Sequence, residues 1–283
     1  MPRDSYRDLS VDTSHEGRVV RVTLDRPEKM NALSSTLLGE LGDCLSWIEE
    51  ESDARVVVFT GAGRAFSAGY DLSPGDEDEG TDGEEGDDGS ERTAYDDFRY
   101  EQRNYDLMKR VWDFPLPTVG AVNGYALAGG FELSQMLDIV IAAEGAEFGY
   151  PISRGTGTPP MFFLPFVVDT RTARELLLTG RHVPAEEAAG IGLANRVVPP
   201  GQLDDAVEEM LERLLRVPSD LAYLNKRLMN RTLDIMGYSS AIEQGHDVHI
   251  TGHTAPSVVE FGRRVEEEGL EAALAWRDET VKD

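Results

Sequence analysis

The chain has 283 residues, 40% of them hydrophobic, and sets 53 acidic side chains against 27 basic ones for a formal net charge of -26. That field repels nucleic acid and anionic lipid alike, and no run of about 18 apolar residues exists to cross a membrane. The single cysteine, Cys44, excludes an internal disulfide and a cysteine-rich metal cluster.

The N-terminal stretch lacks the apolar segment of a secretory signal, so the expectation is an intracellular, cytoplasmic protein. Lysine occurs only at Lys29, Lys109, Lys226 and Lys282, and the other basic residues are arginine. Self-repulsion on this scale opposes a compact state in dilute buffer, whereas about 1 M salt shortens the Debye length to about 3 Å. A carboxylate-rich, lysine-poor surface therefore points to a halophilic host with a salty cytoplasm.

Residues 18–24 alternate, with Val20, Val22 and Leu24 on one face, and predict a half-buried strand. Residues 25–28 break it, and Ser34 or Ser35 caps a helix whose apolar stripe runs through Leu37, Leu38, Leu41, Leu45 and Ile48. Residues 55–60 are continuously apolar, as suits a central parallel strand, so strand, helix and strand form a crossover. The loop that follows, residues 61–72, fails three motif tests. The dinucleotide pattern needs glycine at Phe66, the hydrolase nucleophile elbow needs it at Ala65, and no P-loop ending exists in the chain. What remains is a small-residue loop after a buried strand, a usual ligand position in open parallel sheets.

Residues 76–91 hold ten carboxylates, no base and no large apolar side chain, and predict a disordered surface insertion. The spacing of a calcium loop is absent. A helix over residues 95–112 ends before Pro115 and Pro117. Strands are expected at 118–122 and 139–142, with a turn at Asn123 and Gly124 and a short helix from Gly129 between them. Two glycines at a helix start let a ligand approach the backbone, and the amides of a first helical turn favour negative charge. A substrate oxygen that gains charge can be held at Gly129, with Glu132 facing the same spot as a base. Taken alone, the same residues also fit a tightly packed helix with an ordinary first-turn carboxylate.

Downstream, a short strand covers 146–150 and a breaker-rich loop covers 151–160. Helices follow at 171–178, stopped by Gly180, and at 185–189, stopped by Gly190, with a last short strand at 194–198. Five helices then fill 203–216, 221–233, 239–249, 256–267 and 270–278. His246, His249 and His253 fall near one helical face, which is expected to be solvated or an interface, since no carboxylate pairs with them in sequence and no metal is implied.

Several segments together resemble the crotonase, or enoyl-CoA hydratase/isomerase, superfamily across nearly the whole chain. They are the early loop 24–33, the segment 65–72, the segment 121–133, and the stretches 178–181, 185–188 and 192–198. The resemblance implies an α/β fold, a crotonase-like spiral of ββα repeats over 1–200, with a C-terminal helical region over 201–283 that packs trimers or a dimer of trimers. It implies an acyl-CoA substrate and no separate cofactor. Amides of Ala68 and Gly129 are the implied oxyanion hole, and Arg26, Ala32, Leu33, Ala68, Asp71 and Leu72 the implied CoA contacts. Tyr70, Tyr125, Tyr150 and Ile152 are placed at the acyl pocket.

Glu132 matches the first of the family hydratase's two catalytic glutamates. The second follows the proline of a Phe-Gly-x-Pro-Glu segment, and here Phe148-Gly149-Tyr150-Pro151 is followed by Ile152. The leading expectation is hydration of trans-2-enoyl-CoA to the 3-hydroxyacyl-CoA. The alternatives are an isomerase or acyl-CoA hydrolase working with Glu132 alone, or a scaffold that binds CoA esters without turning them over.

Overall fold

The computed structural model describes residues 6–72 and 94–280. The acidic insertion expected at 76–91 lies outside the described residues. The long strands are β1 (Leu9–Ser14), β2 (Val19–Leu24), β3 (Val56–Gly61), β5 (Thr118–Val122) and β7 (Ile139–Ala143), joined by the short β10 (Arg196–Val198). They form a six-stranded sheet in the order β1-β2-β3-β5-β7-β10, antiparallel at β1–β2 and parallel beyond.

A second, four-stranded sheet orders β4 (Ala65–Ser67), β6 (Tyr125–Leu127), β8 (Glu147–Gly149) and β9 (His182–Pro184). Each central long strand runs on into a short one: β3 into β4, β5 into β6, β7 into β8. A helix then carries the chain to the next turn of the spiral: α2 (Ala94–Trp112) after β4, and α3 (Gly129–Gln135) after β6. This is the ββα repeat expected of the crotonase fold. Of these elements β1, β4, β6 and β9 are absent from the expectations above.

The corners between the sheets are tied by two asparagines. Asn123 Nδ2 donates to the carbonyls of Gly61 (2.8 Å) and Gly63 (2.9 Å), and Asn31 Nδ2 donates to those of Ala62 (2.9 Å) and Ala65 (2.8 Å). Equivalent bends of successive repeats are thus held in register by side-chain amides rather than by packing alone.

The continuous apolar run of β3 has a simple cause. Val57 and Phe59 enter the main core with α1 (Ser35–Glu51), while Val56 and Val58 turn to the other face, where Ala206, Val207 and Leu211 of α7 (Leu203–Leu215) cover them. The first helix begins at Ser34, whose Oγ accepts the Leu37 amide at 3.2 Å. Later helices are α4 (Leu164–Val167), α5 (Thr170–Thr179), α6 (Ala185–Ile191), α8 (Ser219–Ile235), α9 (Tyr238–Gly252), α10 (Pro256–Glu268) and α11 (Leu270–Thr280). Gly180 ends α5 in the left-handed conformation, as expected. The expected stop of α6 at Gly190 is corrected: Gly190 lies inside the helix, and Gly192 at φ 93° supplies the left-handed cap.

Candidate active site

Glu132 lies in the first turn of α3, fully buried. Its Oε1 accepts the Met161 amide at 3.3 Å and its Oε2 accepts the Tyr70 hydroxyl at 3.4 Å. The Tyr150 hydroxyl donates to the Met161 carbonyl at 3.1 Å and its oxygen also lies against the carboxyl. Burial pushes the Glu132 carboxyl up to about 8; the Met161 amide and the two phenols pull it back only in part, and the Glu101 charge raises it further. A carboxyl poised there exchanges its proton near neutral pH, which suits a group that must both take and return one.

The turn into α3 is strained. Ala128 has φ 50° and ψ -122°, a region that costs a non-glycine residue about 1–3 kcal/mol, and it is pinned there by its amide donating to the Gly149 carbonyl at 2.9 Å. The helix start is pressed hard against β4: a Cβ on Gly130 would lie 2.2 Å from the Ser67 carbonyl oxygen. A Cβ on Gly129 would lie 2.8 Å from Cε2 of the Tyr70 ring. Both glycines are therefore required by close approach, and the Gly129 amide, as the first of the helix, has no partner within it.

The amide expected as second donor is already bonded. The Ala68 amide donates to the Met30 carbonyl at 3.0 Å, so it is spent inside the protein. Two residues on, Leu33 and Tyr70 form a parallel bridge in which Leu33 N–H donates to the Gly69 carbonyl (2.8 Å) and Asp71 N–H to the Leu33 carbonyl (3.2 Å). In a parallel ladder the flanking residues carry those bonds, so the amide of Tyr70 itself points to the opposite side. The loop is also close to the start of α3, because a Cβ on Gly69 would come within 3.0 Å of the Gly129 nitrogen. Tyr70 thus turns its amide away from Leu33 in a loop that lies close to Gly129, and brings its hydroxyl to Glu132.

The expected CoA contacts at Arg26, Ala32, Leu33 and Asp71 are committed to other bonds. Arg26 is buried, with Nη1 2.9 Å from Asp71 Oδ2 and Nε 3.4 Å from Asp8 Oδ2, and it donates to the Ala32 carbonyl at 2.8 Å. Its charge is balanced internally by these two carboxylates. The Ala32 amide donates to Lys29, and both backbone groups of Leu33 are taken by the bridge. Leu72 is exposed and stands at the edge of the described loop.

Of the expected acyl-pocket residues, Tyr70 and Tyr150 reach Glu132. Tyr150 also packs with Phe131 (5.0 Å between ring centres) and Phe163 (6.0 Å), so it is as much core as pocket. Ile152 is partly buried in the short 3-10 helix Pro151–Arg154 and packs on the main core. Tyr125 sits half-exposed on β6 opposite Ala65 and Glu147 and is not brought to the carboxyl. Sequence reasoning missed Met161 and Asp8, which no motif flags. It also missed Glu101, which helix periodicity alone places on α2 without a partner.

The three histidines do not share a solvated face. His246 is buried between the rings of Phe98 and Tyr105, and burial lowers its proton affinity, whereas His249 and His253 turn toward Glu101.

Comparison with known proteins fits this geometry. The enoyl-CoA hydratase/isomerase family model matches residues 14–258. The chain belongs to that family. A short-chain-enoyl-CoA hydratase of Clostridium acetobutylicum is 33% identical over 76% of this chain and 79% of its own length. A carnitinyl-CoA dehydratase of Salmonella arizonae is 30% identical over 95% of both. The crystal structure of an enoyl-CoA hydratase/isomerase from Xanthobacter autotrophicus Py2 superposes with a TM-score of 0.86 at 33% identity, covering 98% of this chain and 99% of that one. Membership accounts for the paired sheets and for the position of the turn into α3, and it makes this chain an enzyme of the hydratase/isomerase kind. Among the described residues no helix is long and apolar enough to cross a membrane.

Proposed function

We propose that this chain hydrates trans-2-enoyl-CoA thioesters, with Glu132 as its single acid/base and the amides of Gly129 and Tyr70 as the oxyanion hole. The observation that carries the reading is a fully buried carboxyl raised to about 8 in the first turn of α3, where the Gly69–Tyr70 loop comes close against Gly129. As water attacks the β-carbon, Glu132 takes a proton from it and charge collects on the thioester oxygen. The two amides stabilise that oxygen, a donor pair of which each member is typically worth about 2.7–4 kcal/mol. Glu132 then returns the proton to the α-carbon, so one water is consumed and the carboxylate is restored.

Incubation with crotonyl-CoA tests this: the absorbance of the conjugated thioester must fall. Ile152 favours a second reading, migration of the double bond, because that reaction moves one proton between two carbons and needs no second carboxylate to orient water. No fall with crotonyl-CoA, together with a rise of the same absorbance from a 3-enoyl-CoA, assigns the isomerase instead.

Self-association is part of the proposal. Helix α8 has no fully buried residue, only Leu233 packing on the main core, and exposes Leu221, Leu224, Leu228 and Ile235 at helical spacing. A stripe of that kind fits contact with another copy of the chain, as a trimer or dimer of trimers. Sedimentation is expected to give a trimer or hexamer, and Leu224→Asp with Leu228→Asp is expected to shift it to the monomer; a monomeric parent chain overturns this.

The acidic surface supports work in a salty cytoplasm. Arginine pairs such as Arg263 and Arg264 with Glu260 offset only part of the -26 charge. The melting temperature is therefore expected to rise by several degrees between about 0.1 M and about 2 M KCl as repulsion is screened. An unchanged melting temperature rejects salt adaptation.

A further inference from the structure

We propose that Glu101, His249 and His253 form a binding site for one divalent transition-metal ion of the zinc class, where α2 meets the C-terminal end of α9. Glu101 projects from α2, while His249 and His253 stand one helical turn apart, so that both side chains lie on one face with their ring centres 4.5 Å apart. One ligand atom from each of the three lies within 4.8 Å of the others. The two Nε2 atoms are 3.1 Å apart and His249 Nε2 is 3.8 Å from Glu101 Oε2. Two imidazole nitrogens bound to one tetrahedral ion at about 2.0–2.1 Å sit about 3.3 Å apart, so the pair already has the separation of a chelate, and a turn of the His253 ring would aim both nitrogens at one ion.

The surroundings have the form of a ligand's outer support. His249 Nδ1 contacts the Thr158 carbonyl at 2.5 Å, which places the ring proton on Nδ1 and leaves Nε2 as the electron-pair donor. The Asn104 side-chain amide donates to Glu101 Oε2 at 3.4 Å from the other side. Glu101 and His249 side chains are each only 12% exposed, so the groups are largely withdrawn from water and an ion there is worth more than at the acidic surface.

Chemistry narrows the ion. Two imidazoles and one carboxylate prefer zinc-like ions to calcium or magnesium, which seek all-oxygen shells. Three protein ligands also leave room for water in a fourth position. Without an ion, the proton on His253 Nε2 is shared with His249 Nε2. Binding requires His253 to carry its proton on Nδ1 instead, a change of tautomer that releases no proton. Glu101 acts electrostatically on both Tyr70 and Glu132, so the ion would sit beside the candidate active site rather than on a remote face.

The test uses the full chain, stripped with a chelator and titrated with Co2+ as a coloured substitute for Zn2+. The expected result is one Co2+ per chain with visible absorption, displaced by one equivalent of Zn2+. Glu101→Gln is expected to weaken binding by about tenfold or more, and His249→Ala or His253→Gln to abolish the absorption. Circular dichroism without metal checks that each variant folds, and His253→Gln, at the helix end, serves if His249→Ala does not. Two results overturn the site: no stoichiometric binding, which leaves a hydrogen-bonded histidine pair only, or uptake equal in parent and His253→Gln, which assigns the ions to scattered surface carboxylates.

Discussion

Replacing Glu132 with glutamine is expected to lower turnover of the enoyl-CoA substrate by about 10²–10⁴-fold, the usual contribution of a positioned acid/base. The amide keeps the shape of the carboxyl but cannot carry a proton between water and the α-carbon. Steady-state kinetics with crotonyl-CoA measures it: kcat falls and KM is little changed, since no bond to the CoA moiety is removed. Turnover unchanged in Glu132→Gln removes the residue from the mechanism.

The same group fixes a pH dependence. Burial raises the Glu132 carboxyl to about 8, so the parent enzyme's kcat/KM is expected to rise with pH and level off above about 8, where the basic form dominates. Stability runs the other way. The folded chain holds this proton more tightly than the unfolded chain, so the protonated group's contribution is complete below about 4.5 and is lost as pH climbs to about 8. Glu132→Gln lacks that loss, and its melting temperature relative to the parent should therefore improve as pH rises through this window. A parent-to-variant difference that is flat with pH contradicts a raised carboxyl.

What could be read from the sequence was what one contiguous segment determines. The strand at 118–122, the turn at Asn123, the glycines and Glu132 all lie within one stretch, and their geometry follows from helix-start chemistry. The cap at Ser34 and the buried run of β3 were legible for the same reason. The bonding of the Ala68 amide to Met30 and the turn of the Tyr70 amide away from Leu33 were not, because both depend on contacts far away in sequence. The resemblance implies a CoA contact at Arg26, whose internal pairing was illegible since its partners, Asp8 and Asp71, are distant in the chain. Strand β1 escaped because its alternation is short, with only Leu9 and Val11 apolar on its inner face and Leu9 alone buried. The histidines were unreadable until α2 supplied Glu101.

Arg26 is where the second large effect is expected, and it is one of stability. Its side chain is 6% exposed and bridges Asp8 and Asp71, which are 6% and 5% exposed. Ser34 Oγ donates to Asp8 Oδ2 at 3.2 Å, so the triad also braces the cap of α1. Arg26→Ala removes the cation that two buried carboxylates share, leaving Asp8 with Arg7 (Nε 3.2 Å from Oδ1), a loss of about 3–5 kcal/mol. For a chain of this size that corresponds to a melting temperature lower by roughly 6–20 °C. Arg26→Lys should recover only part of it, because a single ammonium cannot span both carboxylates and the Ala32 carbonyl together. Pairing Arg26→Met with Asp71→Asn, which removes one of the stranded charges, should lose less than Arg26→Ala. Salt separates this from the surface effect: the parent gains stability in KCl, but the gap between parent and Arg26→Ala should persist at about 2 M, since a buried pair is screened little. A gap that closes in salt would mean the triad is open to solvent. The triad also reaches the site, because Asp71 follows Tyr70 directly and its amide makes one of the two bonds of the Leu33 bridge that aims the Tyr70 amide. Arg26→Ala should therefore lower kcat even at temperatures where it remains folded, although Arg26 touches no reacting atom.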